Sequence, residues 1–257
     1  MRKFSRGWTI KMPYDNFSRF YDRLTDNVEY EKRADYFCRL LSLCGIKGGI
    51  LLDLGCGTGS MSVKMAQKGF DVIGVDSSVG MLNAARQKAF ESGEQILLLN
   101  QEMQSIDLYG TVDCAICVLD GINHLPCVDD VRKTFERVSL FMNKGGAFIF
   151  DVNTVYKHRE ILADNAFVYE FDDLFCVWQN NYNENDNSVD ILLDFFEEED
   201  GVYYRSGESF TEQAYDLDLI ASLLSETGFE LIGVYDDMTT EKAAPDSERA
   251  VFSARKK

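Results

Sequence analysis

Three glycines and an aspartate form the part of this sequence best suited to bind a ligand. Gly55, Gly57 and Gly59 alternate in the string LLDLGCGTGS (51–60), and Asp53 stands just before them. Glycine tolerates a positive φ and lets a ligand approach the backbone closely. A carboxylate beside such a loop suits an ammonium or another cation better than a diphosphate. The string therefore predicts a loop that wraps around a ligand carrying positive charge.

Strands and helices alternate around this loop. The segments with strand character are 50–54, 71–75, 95–100, 114–119 and 147–152, and those with helical character are 60–68, 78–91 and 128–142. Strands that are apolar on both faces and alternate with helices are typical of a parallel sheet covered on both sides. Because ligands of open parallel sheets bind at the carboxyl ends of the strands, the glycine loop lies at the expected ligand-binding edge.

The remaining segments extend this α/β domain. Helical patterns at 14–25 and 28–44 precede the first strand, and alternating aromatic segments between 166 and 213 predict an antiparallel meander. A helix at 216–227 and strands at 229–236 and 249–255 would return to the main sheet. We therefore expect N-terminal helices and a cofactor-binding core in 1–153, an inserted β-rich substrate cap in 154–214, and the last helix and closing strands of the core in 215–257.

Two classes of ligand use a glycine loop of this kind, namely dinucleotides and S-adenosylmethionine. The dinucleotide pattern GxGxxG has its third glycine one residue later than here, which disfavours an NAD(P)-dependent oxidoreductase. LLDLGCGTGS resembles the first motif of the class I S-adenosylmethionine-dependent methyltransferases. This resemblance implies a Rossmann-like seven-stranded sheet with helices on both faces, S-adenosylmethionine as the methyl donor and S-adenosylhomocysteine as the product.

Further segments resemble that family in the same order along the chain: VIGVDSSVGML, LLLNQEMQSIDL and VDCAICVLDGINHL. The resemblance implies that Asp76 accepts both ribose hydroxyls and that Met81 packs on adenine. Glu102 stands where the family often has aspartate near the adenine amine. The implied cofactor-binding residues are Tyr14, Tyr21, Asp53, Gly55, Cys56, Gly57, Thr58, Gly59, Asp76, Ser77, Met81, Gln101, Glu102, Met103, Leu119, Asp120 and His124.

The N-terminal string YDNFSRFYDRL resembles the segment that closes over the cofactor in family members acting on small molecules. Tyr14 and Tyr21 are then candidates for a cation–π contact with the sulfonium. Packing of these rings onto the domain is an equally good interpretation.

His124, Asp120 and Tyr21 are the catalytic candidates. Methyl transfer depends mainly on alignment, and a base is needed only if the nucleophile arrives protonated. His124 is either a base or cofactor contact, or a loop histidine bonded to backbone. Asp120 either accepts from the cofactor ammonium or from substrate, or caps the following turn. His158 is expected on a helix surface.

Four cap residues, Trp178, Tyr182, Tyr204 and Glu208, are weaker candidates for an acceptor pocket, since alternating aromatics also build cores.

The composition limits the classes of partner and the location that we expect for this protein. A net charge of −17 disfavours nucleic acid and slightly favours cationic acceptors, although solubility also explains it. No apolar run is long enough for a membrane span, and the N-terminus lacks an export-signal pattern, so we expect a cytoplasmic protein. Cys114 and Cys117 lie within one strand and would point to opposite faces, and the histidines lack ligand spacing, so no metal site is expected.

The sequence thus predicts a methyltransferase acting on a small molecule, with N-methylation favoured and O-methylation second. The alternative is a catalytically inactive S-adenosylmethionine-binding regulatory protein. Nucleic-acid or protein methylation is disfavoured, and the oligomeric state stays open.

Overall fold

Two sheets organise the chain, and the larger one is the predicted seven-stranded sheet. The computed structural model describes residues 17–257. The first five strands are β1 (Gly49–Leu54), β2 (Phe70–Asp76), β3 (Ile96–Asn100), β4 (Val112–Cys117) and β5 (Met142–Asn153). The inserted strands are β6 (Ala166–Glu170), β7 (Leu174–Asn183), β8 (Ser188–Glu199) and β9 (Val202–Gln213), and the closing strands are β10 (Phe229–Asp236) and β11 (Arg249–Lys256).

The large sheet has the order β3-β2-β1-β4-β5-β11-β10, in which β1 to β5 are parallel and β11 is antiparallel to both its neighbours. The chain reverses direction across the sheet between β1 and β4. In an open α/β sheet such a crossover opens a crevice at the carboxyl ends of the strands, which is where the glycine loop follows β1.

Helices cover both faces of this sheet. They are α2 (Tyr30–Leu43), α3 (Ser60–Gln67), α4 (Val79–Ser92), α5 (Val128–Phe141) and α6 (Leu217–Glu226), and a further short helix, α1 (Tyr21–Leu24), packs outside the two cores of this sheet. Leu51 of β1 packs towards α2 and α3, whereas its neighbour Leu52 packs towards α5 and α6. Because both faces are buried, β1 needs apolar side chains at successive positions rather than at alternate ones.

The strands β6 to β9 form a separate antiparallel sheet, which we call the cap together with the preceding segment 154–165. Residues 17–24, a 3-10 turn followed by α1, form what we call the lid. Phe20 of the lid stacks on Phe195 of β8 with ring centroids 4.6 Å apart. A third apolar cluster thus joins lid and cap, separate from the two cores of the main sheet.

The predicted strands, and the predicted helices from residue 28 onwards, are confirmed, with differences at some of their ends. β4 ends at Cys117 rather than 119, because Leu119 and Asp120 adopt a left-handed backbone. β5 begins at Met142, five residues early, and runs through the expected glycine stop. Of the expected first helix, residues 14–16 lie outside the described residues, and within 17–25 only 21–24 are α-helical.

Cys114 and Cys117 are both fully buried free thiols, as expected for core cysteines. Within residues 17–257 no helix combines the length and the apolar character needed to cross a membrane.

Candidate active site

A cavity of about 390 Å³ lies where the carboxyl ends of β1, β2 and β4 meet the lid and the cap. Its sheet-side wall includes Gly55, Gly57, Asp76, Met103 and Leu119. Lid and cap residues supply the opposite wall. The cavity therefore has one half built by the parallel sheet and another half built by the inserted and N-terminal segments.

The glycine loop uses two of its glycines for different purposes. Gly57 has φ +54°, and a Cβ at this position would meet no atom within 4 Å, so the bare backbone faces open space in the cavity wall. Gly59 has φ +77°, and a Cβ there would lie 2.9 Å from Cβ of Ala85. Gly59 therefore permits close packing of α3 against α4, whereas Gly57 leaves room for a ligand beside the backbone.

Asp76, at the end of β2, holds the loop in place. Its Oδ2 accepts the N–H of Gly57 at 2.9 Å and its Oδ1 accepts the N–H of Ser78 at 2.8 Å. Burial raises the pKa of Asp76, and these backbone bonds partly oppose that rise. Each carboxylate oxygen has two lone pairs, so both oxygens can still accept a hydroxyl from the cavity side. Ser77 and Met81 line the same wall.

Gln101 and Glu102 do not lie on the cavity walls of the described structure, in contrast to the adjacent Met103. The Gln101 side chain bonds both the N–H and the carbonyl of Asp107, at 2.8 and 3.1 Å. Glu102 accepts a hydrogen bond from Gln104 at 3.0 Å. In this arrangement the two side chains stabilise their own loop, and only Met103 faces the site.

A second cavity, of about 30 Å³, adjoins the glycine loop and is lined by Asp53, Cys56 and Thr58. Asp53 is only 1% exposed and its Oδ2 accepts the hydroxyl of Ser62 at 2.5 Å. Burial raises the pKa of Asp53 to about 7; Ser62 lowers it and the charge of Asp76 raises it further. A cation bound here would stabilise the ionised carboxylate.

The turn after β4 is strained and is held by a buried ion pair. Leu119 and Asp120 have φ +62° and +59°, a conformation that costs non-glycine residues about 1–3 kcal/mol each. Both of their N–H groups donate to the carboxylate of Asp151, at 2.9 and 2.7 Å. Arg249 then bonds Asp151 at 2.5 Å and Asp120 at 2.7 Å. The side chain of Asp120 is thus engaged by Arg249 and makes no capping bond to the following turn.

His124 reaches the cavity from that turn. Its Nε2 lies 3.9 Å from Oδ2 of Asp120, and its ring centroid is 5.4 Å from that of Phe210 in β9. One ligand-type atom each of Asp120, His124 and Glu212 lies within 4.8 Å of the others, a spacing that could hold a metal ion. Arg249 already compensates the charge of Asp120, which makes this cluster a weak site for a divalent cation.

His158 is fully buried, so the expectation of a surface position is wrong. It belongs to a π-helical segment, Lys157–Leu162, whose wider turn places the imidazole beneath the cap sheet. Its Nδ1 lies 2.9 Å from the carbonyl oxygen of Asn187, and its Nε2 lies 3.7 Å from Oε2 of Glu212. Both histidines of the chain therefore face one buried carboxylate.

Glu212 is the centre of the polar junction between core and cap. Burial by itself would raise its pKa, but the hydrogen bond from His158, the two nearby imidazoles and the Asn153 amide, which donates to Oε2 at 3.0 Å, hold the pKa below its usual value. Lys157 donates to the amide oxygen of the same Asn153 at 2.9 Å, and burial lowers the pKa of this lysine. The cap-side half of the cavity is thus lined by an ionised carboxylate.

The lid brings Tyr21 onto the walls of both cavities. Burial raises the pKa of Tyr21 well above its usual value, so the phenol stays neutral. The neighbouring Asp22 accepts the hydroxyl of Thr58 at 2.6 Å and the ammonium of Lys88 at 2.9 Å. Thr58 therefore connects the lid to the glycine loop. Tyr14 lies outside the described residues.

Of the four weaker candidates in the cap, only Trp178 lies on the cavity wall, and Tyr182, Tyr204 and Glu208 do not. The important residues that sequence reasoning missed are Asn153, Lys157, Phe210, Glu212 and Arg249. Phe210 and Glu212 could have been identified from the sequence. They alternate with the candidate Glu208 along β9 and therefore share its face of the strand.

Comparison with known proteins agrees with this geometry. The family model for a methyltransferase domain matches residues 51–146. A methyltransferase-family protein of Geobacillus sp. (strain WCH70) is 32% identical over 95% of this chain and 100% of its own length. The glycine/sarcosine N-methyltransferase of Parasynechococcus marenigrum (strain WH8102) is 26% identical over 90% of this chain and 80% of its own length.

The crystal structure of an S-adenosylmethionine-dependent methyltransferase from Clostridium acetobutylicum ATCC 824 superimposes with a TM-score of 0.85. The two sequences are 28% identical, and the match covers 94% of this chain and 98% of the other. The sheet order, the glycine loop and these relatives agree, and the chain belongs to the class I S-adenosylmethionine-dependent methyltransferases.

Proposed function

We propose that this enzyme transfers a methyl group from S-adenosylmethionine to the nitrogen of a small amine, with a hydroxyl oxygen as the second choice of acceptor. The observation that carries this proposal is the ionised, buried Glu212 on the wall opposite the cofactor half of the cavity. A carboxylate in that place pairs with the full positive charge of an ammonium group, whereas an alcohol offers it a single hydroxyl hydrogen bond without a countercharge. The relatives named as glycine/sarcosine N-methyltransferases support a nitrogen acceptor.

The residues of the sheet-side wall fit the cofactor. Asp76 would accept the ribose hydroxyls with the lone pairs that its backbone donors leave unused. Met81 and Met103 would contact the adenine, and the open space at Gly57 lets the nucleoside lie against the backbone. Asp53 would balance the ammonium group of the methionine part. These assignments extend the family resemblance to particular atoms of this chain.

When bound, S-adenosylmethionine supplies a methyl group on a positively charged sulfur, which leaves as a neutral thioether while the acceptor's lone pair forms the new bond to carbon. The protein aligns the two groups. Glu212 would hold the amine, and His124, which lies close to both Glu212 and the Arg249-paired Asp120, would take its proton. The Tyr21 ring near the sulfonium would add a cation–π contact of about 0.5–2 kcal/mol. The lid would exclude water from the closed site.

Calorimetry with S-adenosylmethionine tests the cofactor assignment. Asp76→Ala should weaken binding by at least about tenfold, since a charge-assisted hydrogen bond is worth about 1.5–3 kcal/mol. Asp71→Ala, on the same strand but exposed, is the matched control and should bind normally.

Acceptor preference is then tested by measuring S-adenosylhomocysteine formation with pairs of amines and alcohols of equal size. Turnover of alcohols alone would overturn the preference for nitrogen.

A further inference from the structure

The acceptor half of the cavity has two chemically different ends. One end, at the junction of core and cap, carries Asp120, His124 and Glu212. The other end is formed by strands β6 and β7 and carries the aromatic rings of Phe167 and Trp178 with Tyr169. An acceptor that fills both ends must present a polar group to one and an apolar surface to the other.

The aromatic end is a built surface on one face of the cap sheet. Phe167 and Trp178 are direct cross-strand partners, and Tyr169 lies two residues further along the same face of β6. The Tyr169 and Trp178 ring centroids are 6.4 Å apart with planes inclined at 47°. The Trp178 indole N–H already donates to Oδ1 of Asn180 at 2.7 Å, which fixes the ring and leaves its face for contact.

No lysine or arginine of residues 17–257 lies over the rings of Tyr169 or Trp178. Elsewhere the protein covers aromatic faces with its own cations, as where Arg23 lies 4.8 Å from the ring centroid of Phe171. Both rings pack partly against the apolar cluster between lid and cap, and the parts of them that line the cavity wall carry no cation of the described residues. Flat rings of this kind bind other flat apolar groups by stacking or edge contacts.

At the polar end, Glu212 is placed to receive an ammonium group. Its Oε2 accepts from Asn153 and faces His158, whereas its Oε1 accepts no hydrogen bond from the described residues. Glu212 is 4% exposed and borders the cavity, so a donor inside the cavity can reach its carboxylate. An ammonium group there would form a charge-assisted hydrogen bond with this carboxylate.

We infer that the acceptor is an amine carried on a flat apolar or aromatic body, with the nitrogen between Asp120, His124 and Glu212 and the body against Phe167, Tyr169 and Trp178. This inference rests on the proposed N-methylation and names the substrate class of the same site. Glu212 is level with Tyr182 across the cap sheet, so Trp178 lies two strands away and four residues along β7, a backbone separation of roughly 16 Å. The two side chains and their contacts with the ligand span much of that distance, which leaves a spacer of a few bonds between nitrogen and ring.

Calorimetry on the protein loaded with S-adenosylhomocysteine tests this inference with three probes. The probes are 2-phenylethylamine, its neutral counterpart 2-phenylethanol, and propylamine, which lacks the ring. We expect 2-phenylethylamine to bind at least about tenfold more tightly than either, since each comparison removes the contacts at one end. Equal binding of 2-phenylethylamine and either counterpart, or no binding of it, overturns the inference.

Variants assign each preference to its end of the cavity. Glu212→Gln should abolish the tighter binding of 2-phenylethylamine relative to 2-phenylethanol. Trp178→Leu or Phe167→Leu should abolish its tighter binding relative to propylamine. Tyr203→Leu is the matched control, because Tyr203 lies on the opposite face of β9 and is 63% exposed. Unchanged S-adenosylhomocysteine affinity shows that each variant is folded. If S-adenosylhomocysteine does not bind the wild type, the proposed function fails; if it binds and the amine does not, only the inference on the acceptor fails.

Discussion

Replacing Asp53 with asparagine tests whether the glycine loop is built to receive a cation. Asp53 is buried beside that loop, and its pKa is raised from the usual 3.8 to about 7. A carboxyl that is harder to ionise when folded stabilises the protein least at high pH. The stabilisation of the folded state by the protonated Asp53 carboxyl is fully present below pH 3.8 and is lost as the pH rises through 7. The loss amounts to about 4 kcal/mol, at 1.36 kcal/mol for each pH unit between the two pKa values.

Asp53→Asn removes the ionisable group and keeps an oxygen that can accept the Ser62 hydroxyl. The variant should therefore match the wild type near pH 4 and exceed its free energy of unfolding by up to about 4 kcal/mol at pH 8. Urea unfolding at both pH values measures the difference. Asp71→Asn, at an exposed position of β2, is the control and should show no such pH-dependent gain. A variant less stable than the wild type at pH 8 would refute the reasoning.

The same variant separates stability from binding. If Asp53 balances the methionine ammonium group, Asp53→Asn should bind S-adenosylmethionine more weakly while 5′-methylthioadenosine, which lacks that group, binds unchanged. Equal weakening of both ligands would mean that Asp53 acts only by shaping the loop.

Four further variants test the loop and the lid. Gly59→Ala should destabilise the protein by about 1–3 kcal/mol in urea unfolding, because its Cβ would lie 2.9 Å from that of Ala85. Gly57→Ala, left-handed but uncrowded, should cost less, and Ala85→Gly should recover only part of the Gly59→Ala loss. Asp22→Asn should speed S-adenosylhomocysteine dissociation about two- to fivefold in stopped flow, since its partly exposed ion pair with Lys88 is worth at most about 1 kcal/mol. Added salt should shrink that difference, and a variant effect that is independent of salt would contradict an electrostatic lid contact.

The cofactor half of the site could be predicted from the sequence because its determinants are local. The glycine loop, Asp76 and the turn at Leu119 each follow directly after a strand, and parallel strands bring their carboxyl ends to one edge. Gln101 and Glu102 show the limit of that reasoning. They occupy the right place in the chain, yet their side chains bond within their own loop, since a position after a strand does not fix where a side chain points.

The acceptor half could not be predicted in the same way because it depends on contacts between distant segments. Glu212 is next to Asn153 and His158 only because β9 returns to the base of the cap, about sixty residues after β5. The alternation of side chains along β9 predicted which residues share a face with Glu208. Which of those residues line the cavity depends on the register of the four antiparallel strands, which the sequence pattern does not give. His158 was misjudged for this reason, since helical position alone says nothing about a sheet that folds over it.

The two halves of the cavity therefore differ in how freely their residues can be substituted. The sheet-side half is constrained by the backbone, as at Gly57, and by charges that also hold the fold together, as where Arg249 and Asp151 secure the strained turn at Leu119. The rings of the cap half stand on a sheet whose alternate residues can be exchanged without moving the main sheet. Relatives with one cofactor and different acceptors are the expected result of such a division. On this chain the same division makes Phe167, Trp178 and Glu212, rather than the glycine loop, the residues whose substitution should change the acceptor while the affinity for S-adenosylmethionine is preserved.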